Sequence, residues 1–239
     1  MNITRENSNE RRVYEKIKGA IIHRKIAPGH QLVENVIAKN MGISRTPVRG
    51  ALKKLAAEGL VEMFFNRGAY VAQPDQKEIK EAYFMREKLE TIALKGAVDR
   101  FGEDDLAYLS DLIRQEKKAV KDRDFETYLE INERFHLYPA QKQGNAFLVD
   151  FLKTLMSRIS LYLVLYDVFF ARPPTEVRSV GDHENMVKLY KKKDLAGLKE
   201  QAAEHNRTSL QDLAMMAKEY RSLSDLLAEE KDRTKEQST

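Results

Sequence analysis

The chain has 239 residues, 42% of them hydrophobic and 33% charged, with a formal net charge of +4. That length suits two domains with real cores, and the absence of cysteine excludes disulfides and thiolate metal sites. Residues 1–75 hold 13 Lys and Arg against 7 Asp and Glu, whereas the remainder holds 28 against 30, so the positive surplus sits where phosphate contact would need it.

The opening residues, MNITRENSNERR, lack the apolar run of a signal peptide, and residues 1–10 read as a flexible arm. From Arg11 to Lys25, Val13, Tyr14, Ile17, Ile21 and Ile22 follow helical spacing until Pro28-Gly29 ends the segment. The stretch from Leu32 to Gly68 predicts two short helices joined at Gly42, where a positive φ is inexpensive. The first carries Val36, Ile37 and Met41 on its apolar side, with Ala38 allowing a close approach. Ser44 is the candidate N-cap of the second, and Pro47 in its first turn gives up an amide without a helical partner. Val48, Leu52 and Leu55 form one stripe, opposite Arg45, Thr46, Arg49, Lys53 and Lys54. This is the pattern of a helix-turn-helix whose second helix enters a major groove.

Gly59 stops that helix, and LVEMFFNRGAYVAQP supplies two β-prone runs around Asn66-Arg67-Gly68. The expected unit over residues 1–75 is therefore a winged helix-turn-helix with Arg67 at the wing tip. Its DNA-binding candidates are Arg45, Thr46, Arg49, Lys53 and Arg67. A plainer alternative is a protein-binding helical module with a solvated basic face. Turn chemistry, the Arg/Thr face and the basic wing agree at separate levels in favour of the first.

Pro74-Asp75 closes this domain. Helical patterns then run from Lys77 to Phe101, Asp104 to Lys121, Asp124 to Gln143, Ala146 to Phe170, Glu176 to Lys192 and Leu195 to Tyr220. Six helices with short connections predict an all-α antiparallel bundle over residues 76–222, making the chain mainly α. The fourth is apolar nearly all round (Phe147, Phe151, Leu155, Ile159, Leu163), which places it centrally or at a subunit interface. Its greasiest run, residues 159–171, is too short to span a bilayer and contains Asp167, so a soluble cytoplasmic protein is expected. Residues 223–239 read as a charged, flexible tail.

The residues SRTPVRGAL, preceded by PGHQL and IAKNMGI and followed by EGLVEMFFNRGAYV, resemble the DNA-binding domain of the GntR superfamily of bacterial transcription regulators over about residues 11–73. The helical remainder resembles the effector (FCD) domain of the FadR-type subgroup through MREKLE, NERFH, DHENMV and AAEHNR, with six helices pointing to a shorter, VanR-like variant. The resemblance implies a homodimer that binds double-stranded operator DNA through Arg45, Thr46, Arg49, Arg67 and Gly68, nucleoid-associated when bound. Gly50 stands where that family usually has glutamate, and a helical glycine costs roughly 1 kcal/mol relative to alanine. Asn35 stands where some relatives place a base-contacting arginine, so their operator cannot be borrowed. Repression is expected, with activation left open.

Asn132 and His136 are four apart on one helix face, while His183 and His205 lie on the last two helices. Spacing alone leaves two readings open, unrelated histidines or a borderline divalent ion such as zinc or nickel. The resemblance implies the metal arrangement, with aspartate usual at position 132; an asparagine brings an oxygen without its charge. A metal with nearby cations suits a small carboxylate effector, for which Arg86, Arg158 and Arg178 are clamp candidates and Tyr162 and Tyr166 candidate lining. Each arginine reads equally well as an ordinary surface or helix-pairing residue. The alternative from another class is a metal-dependent hydrolase with an accessory nucleic-acid module. His183-Glu184 starts like a zinc-protease helix, but the second histidine position holds Val187.

Overall fold

The computed structural model describes residues 2–166, 169–170 and 172–213, and the chain divides between Pro74 and Asp75 into two compact units. The tail read over residues 223–239 lies outside the described residues. In the first unit, α1 (Asn2–Ile22) buries Val13, Ile17 and Ile21 and lies against α3. It begins at Asn2, so the arm expected over residues 1–10 is instead the start of this helix. Helices α2 (Glu34–Met41) and α3 (Arg45–Ala57) meet at Gly42, whose φ of 65° makes the turn. Ser44 holds the N-cap position in an extended conformation but makes no side-chain cap bond. Ile37 and Ala38 are buried, whereas Val36 points out at 37% exposure. Val48, Leu52 and Leu55 are completely buried, so the predicted stripe is this unit's core.

The wing consists of β2 (Val61–Phe64) and β3 (Gly68–Val71), antiparallel with Phe64 opposite Gly68. A two-residue strand, β1 (Gln31–Leu32), pairs with β3 and completes a three-stranded sheet of order β1-β3-β2. The sequence reading missed β1 because two residues carry no alternation. Its outermost tie is useful to the wing: Gln31 Nε2 donates to the Arg67 carbonyl at 3.0 Å.

The second unit has six α-helices among the described residues: α4 (Gln76–Ala97), α5 (Glu103–Asp122), α6 (Phe125–Gln143), α7 (Ala146–Tyr166), α8 (Ser179–Lys192) and α9 (Leu195–Gln211). Asp75, Asp124 and Asp194 start α4, α6 and α9 by accepting the amides of Glu78, Thr127 and Gly197. Arg123, Gly144 and Lys193, all at positive φ, end α5, α6 and α8. Several ends fall short of the sequence reading. The first helix stops at Ala97 before a 3₁₀ turn over Val98–Arg100, and a second such turn over Pro174–Glu176 delays α8. Helix α9 ends at Gln211, and its predicted continuation to Tyr220 runs beyond the described residues. Helix α4 lies against α6, α7 and α9, while α5 lies against α6 and α8, so inward-facing polar groups on α4, α5, α6, α8 and α9 can meet. Helix α7 is buried from Leu161 to Tyr166 but exposes Phe147 (76%) and Phe151 (63%) near its start. No helix among the described residues is long and apolar enough to cross a membrane.

Candidate nucleic-acid interface and candidate metal centre

Arg45, Thr46, Arg49 and Lys53 emerge on one exposed side of α3, which they share with Gly50 and with Glu10 of α1. Arg45 and Arg49 are not loose. Arg49 donates from Nε and Nη2 to the two carboxylate oxygens of Glu34, both at 3.0 Å, and Arg45 Nη2 reaches Glu34 Oε2 at 3.2 Å. The Arg49 bond holds the Glu34 carboxyl below its ordinary pKa, against a partial burial that pushes it up, and Glu34 raises that of Arg49. Glu10 pairs with Lys54 Nζ at 2.7 Å, and its carboxylate occupies the space where a Cβ on Gly50 would be. A side chain at position 50 would have to move that carboxylate aside. At the wing, Arg67 stands 5.6 Å from the centre of the Phe64 ring, and Gly68 takes a φ of 91°. Phe65, which the sequence reading passed over, is 91% exposed at the tip.

In the helical unit, His136 of α6, His183 of α8 and His205 of α9 are buried, and their ring centres form a triangle with 5.0 Å sides. Each Nδ1 faces a carboxylate: His136 to Glu90 of α4 at 3.0 Å, His183 to Glu116 of α5 at 2.8 Å, and His205 to Asp182 of α8 at 3.1 Å. Those carboxylates are themselves held. Asn206 and Arg86 donate to Glu90, Ser179 to Glu116, and Gln201 to Asp182. Histidines anchored through Nδ1 turn Nε2 toward a shared centre, which is the outer-shell arrangement of metal-ligating imidazoles. One ligand atom from each ring can be chosen so that all three lie within 4.8 Å of one another.

The electrostatics favour a cation there. Burial, followed by the Arg86 charge, holds His136 well below its ordinary pKa, and burial lowers His205 as well, so both rings are neutral near pH 7. Burial alone would raise Glu90 and Glu116, but Arg86 and His136 outweigh it at the first, and His183 at the second. The Nε2 atoms of His136 and His183 stand 3.2 Å apart. Two lone pairs at that distance repel unless a proton or cation stands between them. Arg86, fully buried, answers part of that demand: Nη2 donates to His136 Nε2 at 2.8 Å, and Nη1 has no partner. The residues therefore fit a divalent ion, in competition with an arginine already present.

A cavity of about 50 Å³ adjoins the cluster, lined among others by Asn132, His205, Tyr128, Arg172, Arg178 and Ser209. Asn132 and Arg178 thus lie where an effector beside the histidines would lie. Arg158 and Tyr162 are placed elsewhere: Arg158 pairs with Glu78 at 3.5 Å, and the Tyr162 hydroxyl donates to the same carboxylate at 2.8 Å. Tyr166 is buried.

A model of the bacterial regulatory proteins of the gntR family matches residues 9–71, and a model of the FCD domain matches residues 81–208, more than half the chain. The chain belongs to the GntR family. It is 37% identical over 134 residues to an HTH-type transcriptional regulator of Streptomyces ambofaciens, a match covering 56% of each chain. The Escherichia coli repressor RspR is 28% identical over 52% of this chain and 54% of its own, so both matches span about half of the relative. YdhC of Bacillus subtilis is 25% identical over 80% of this chain and 85% of its own. Among solved structures, E. coli McbR shares the fold at a TM-score of 0.60 and 24% identity, covering 85% of this chain and 95% of its own. Lar, which controls expression of the Listeria monocytogenes agr system, does so at 0.62 and 19% over the same shares.

This chain therefore joins a DNA-binding domain of the gntR family to an FCD domain, and the family and relatives that it matches are transcriptional regulators rather than hydrolases. Four acidic residues of its sites escaped the sequence reading. Glu90 was findable, four residues after Arg86 on the same helix, and Asp182 stands next to His183. Glu116 and Glu34 meet partners 67 and 15 residues away, and no local pattern announces them.

Proposed function

We propose that the chain is a ligand-responsive regulator whose residues 1–75 bind a palindromic operator as one half of a homodimer. Residues 76–222 then bind the effector and the partner subunit. The observation that carries the DNA reading is the exposed set Arg45, Thr46, Arg49 and Lys53 on one side of a short second helix, beside a wing bearing Arg67 and Gly68. An arginine fork reads guanine through two parallel bonds, and lysine supplies phosphate charge. Self-association is supported by the large apolar side chains that the packed pair α4 and α7 leaves exposed, Phe84, Met85 and Ile92 on α4 and Phe147 and Phe151 on α7, since apolar surface left to water is what a partner subunit would cover.

His136, His183 and His205 would hold zinc or nickel, with Asn132 as a neutral oxygen donor. The ion would act as a Lewis acid toward a small carboxylate. Arg178 lines the cavity beside the histidines and Arg86 touches His136, whereas Arg158 and Tyr162 have the weaker claim because Glu78 engages them. Repression by occupancy of the operator is the simplest output.

The experiment is a gel shift with the DNA upstream of the protein's own gene, with and without chelator. Arg45→Ala should lower discrimination by about 1–3 kcal/mol, whereas Lys53→Ala should weaken all sequences alike and flatten the salt slope by about one. An Arg45→Ala protein as selective as the wild type means that α3 does not read bases.

A further inference from the structure

We infer that Glu34 sets sequence specificity, presenting Arg45 and Arg49 to base edges in fixed orientations while weakening their attraction to phosphate. The inference rests on the reading above that α3 enters the groove.

Arg45 and Arg49 are one turn apart on α3, and both converge on one carboxylate from α2. The Glu34 side chain is 19% exposed, against 58% for Arg45 and 53% for Arg49. The anchor is thus sheltered while both guanidinium groups reach solvent. Arg49 meets the carboxylate side-on, through Nε and Nη2. A guanidinium carries five N–H donors in one plane, so this contact uses two and leaves the Nη1–Nη2 end free. That end offers the two parallel donors that guanine O6 and N7 accept. Arg45 is engaged through Nη2 alone, and both forks are tied to the same Oε2. Their positions relative to each other are therefore set before DNA arrives, which reduces the ordering cost of forming base contacts.

The charge argument runs the other way for phosphate. Two guanidinium groups and one carboxylate amount to a single net positive charge, so the cluster releases fewer counterions on a generic backbone than two bare arginines would. Base-edge donors are preserved while indiscriminate attraction is reduced, and specificity is the ratio of the two. An exposed ion pair contributes little to folding stability, so Glu34 is best tested through DNA rather than through melting.

The test uses the full chain and a duplex selected by the wild-type protein from a randomised pool, beside a duplex of scrambled sequence. Glu34→Gln keeps the shape and removes the charge. Binding to the scrambled duplex should tighten roughly fivefold to tenfold, and the slope of log K against log salt should steepen by about 0.9. The ratio of selected to scrambled affinity should fall roughly tenfold. Glu34→Asp keeps the charge but draws it back by one methylene, so the slope should stay at the wild-type value while the ratio falls. Arg49→Ala is the control. If it loses selectivity while Glu34→Gln and Glu34→Asp keep the wild-type ratio and slope, Glu34 has no such role and the groove reading stands. If Arg49→Ala keeps full selectivity, the groove reading fails and the role of Glu34 fails with it.

Discussion

Gly50 lies in the middle of α3, where replacing glycine by alanine normally adds up to about 1 kcal/mol of stability. Here the added methyl group has to displace the Glu10 carboxylate, which pairs with Lys54 at 2.7 Å. The obstacle is the end of a flexible side chain, so it can move, and the cost is the pair itself. Lys54 is 61% exposed in that pair and Glu10 22%, which puts its contribution at about 0–1 kcal/mol after solvent screening. Gly50→Ala alone should therefore gain between nothing and 1 kcal/mol. In a Glu10→Ala background nothing stands in the way, and the same substitution should gain the full 1 kcal/mol or so. The double-mutant cycle should thus report a coupling of up to about 1 kcal/mol between residues 40 positions apart in sequence. Native-state hydrogen exchange of the α3 amides reads this in the intact chain. A larger gain in the wild-type background than in Glu10→Ala would refute the steric account, as would a loss beyond about 1 kcal/mol in Gly50→Ala, because that would mean a rigid clash.

Other expectations concern the helical unit. Purified protein should carry near-stoichiometric metal by elemental analysis, and His136→Ala should lose it. Metal at one hundred times its dissociation constant should stabilise by about 2.7 kcal/mol, a rise of roughly 5–11 °C in melting temperature that chelator reverses. Arg86→Met leaves Glu90 buried without its cation and should cost about 3–5 kcal/mol in denaturant titrations, far more than a surface arginine would. Phe151→Asp puts a charge on the exposed apolar face of α7 and should convert dimers to monomers in light scattering, weakening operator binding without lowering the helical content.

The parts of the fold that could be read in advance are those written in local chemistry. Gly42, the Val48–Leu52–Leu55 stripe and the Asn66–Gly68 turn each announce themselves within a few residues. The misread ends have physical causes. Val98–Arg100 continues the helical pattern but tightens into a 3₁₀ turn, a second 3₁₀ turn over Pro174–Glu176 takes up the residue where α8 was expected to begin, and strand β1 exists only because β3 offers it an edge. The site was half legible. His136, His183 and His205 could be grouped by helix spacing and by resemblance, and the structure does bring their rings together. Their carboxylates could not be grouped, because Glu116 and His183 meet only through the packing of α5 on α8. The effector candidates split for the same reason: Arg86 and Arg178 come near the histidines, while Glu78 draws off Arg158 and Tyr162.

The three histidine–carboxylate pairs also constrain how this chain can change over generations. A substitution at His183 strands Glu116 in the interior, and one at Glu116 frees the ring that it orients, so each pair should be gained or lost as a unit across descendants. The pairs draw on five helices, and no single duplication or deletion removes them cleanly. Under the metal reading proposed above, one route away from the ion is nonetheless open, because Arg86 already lies against His136 Nε2 with its Nη1 unclaimed. A lineage that abandons the ion has a resident cation ready to inherit its place.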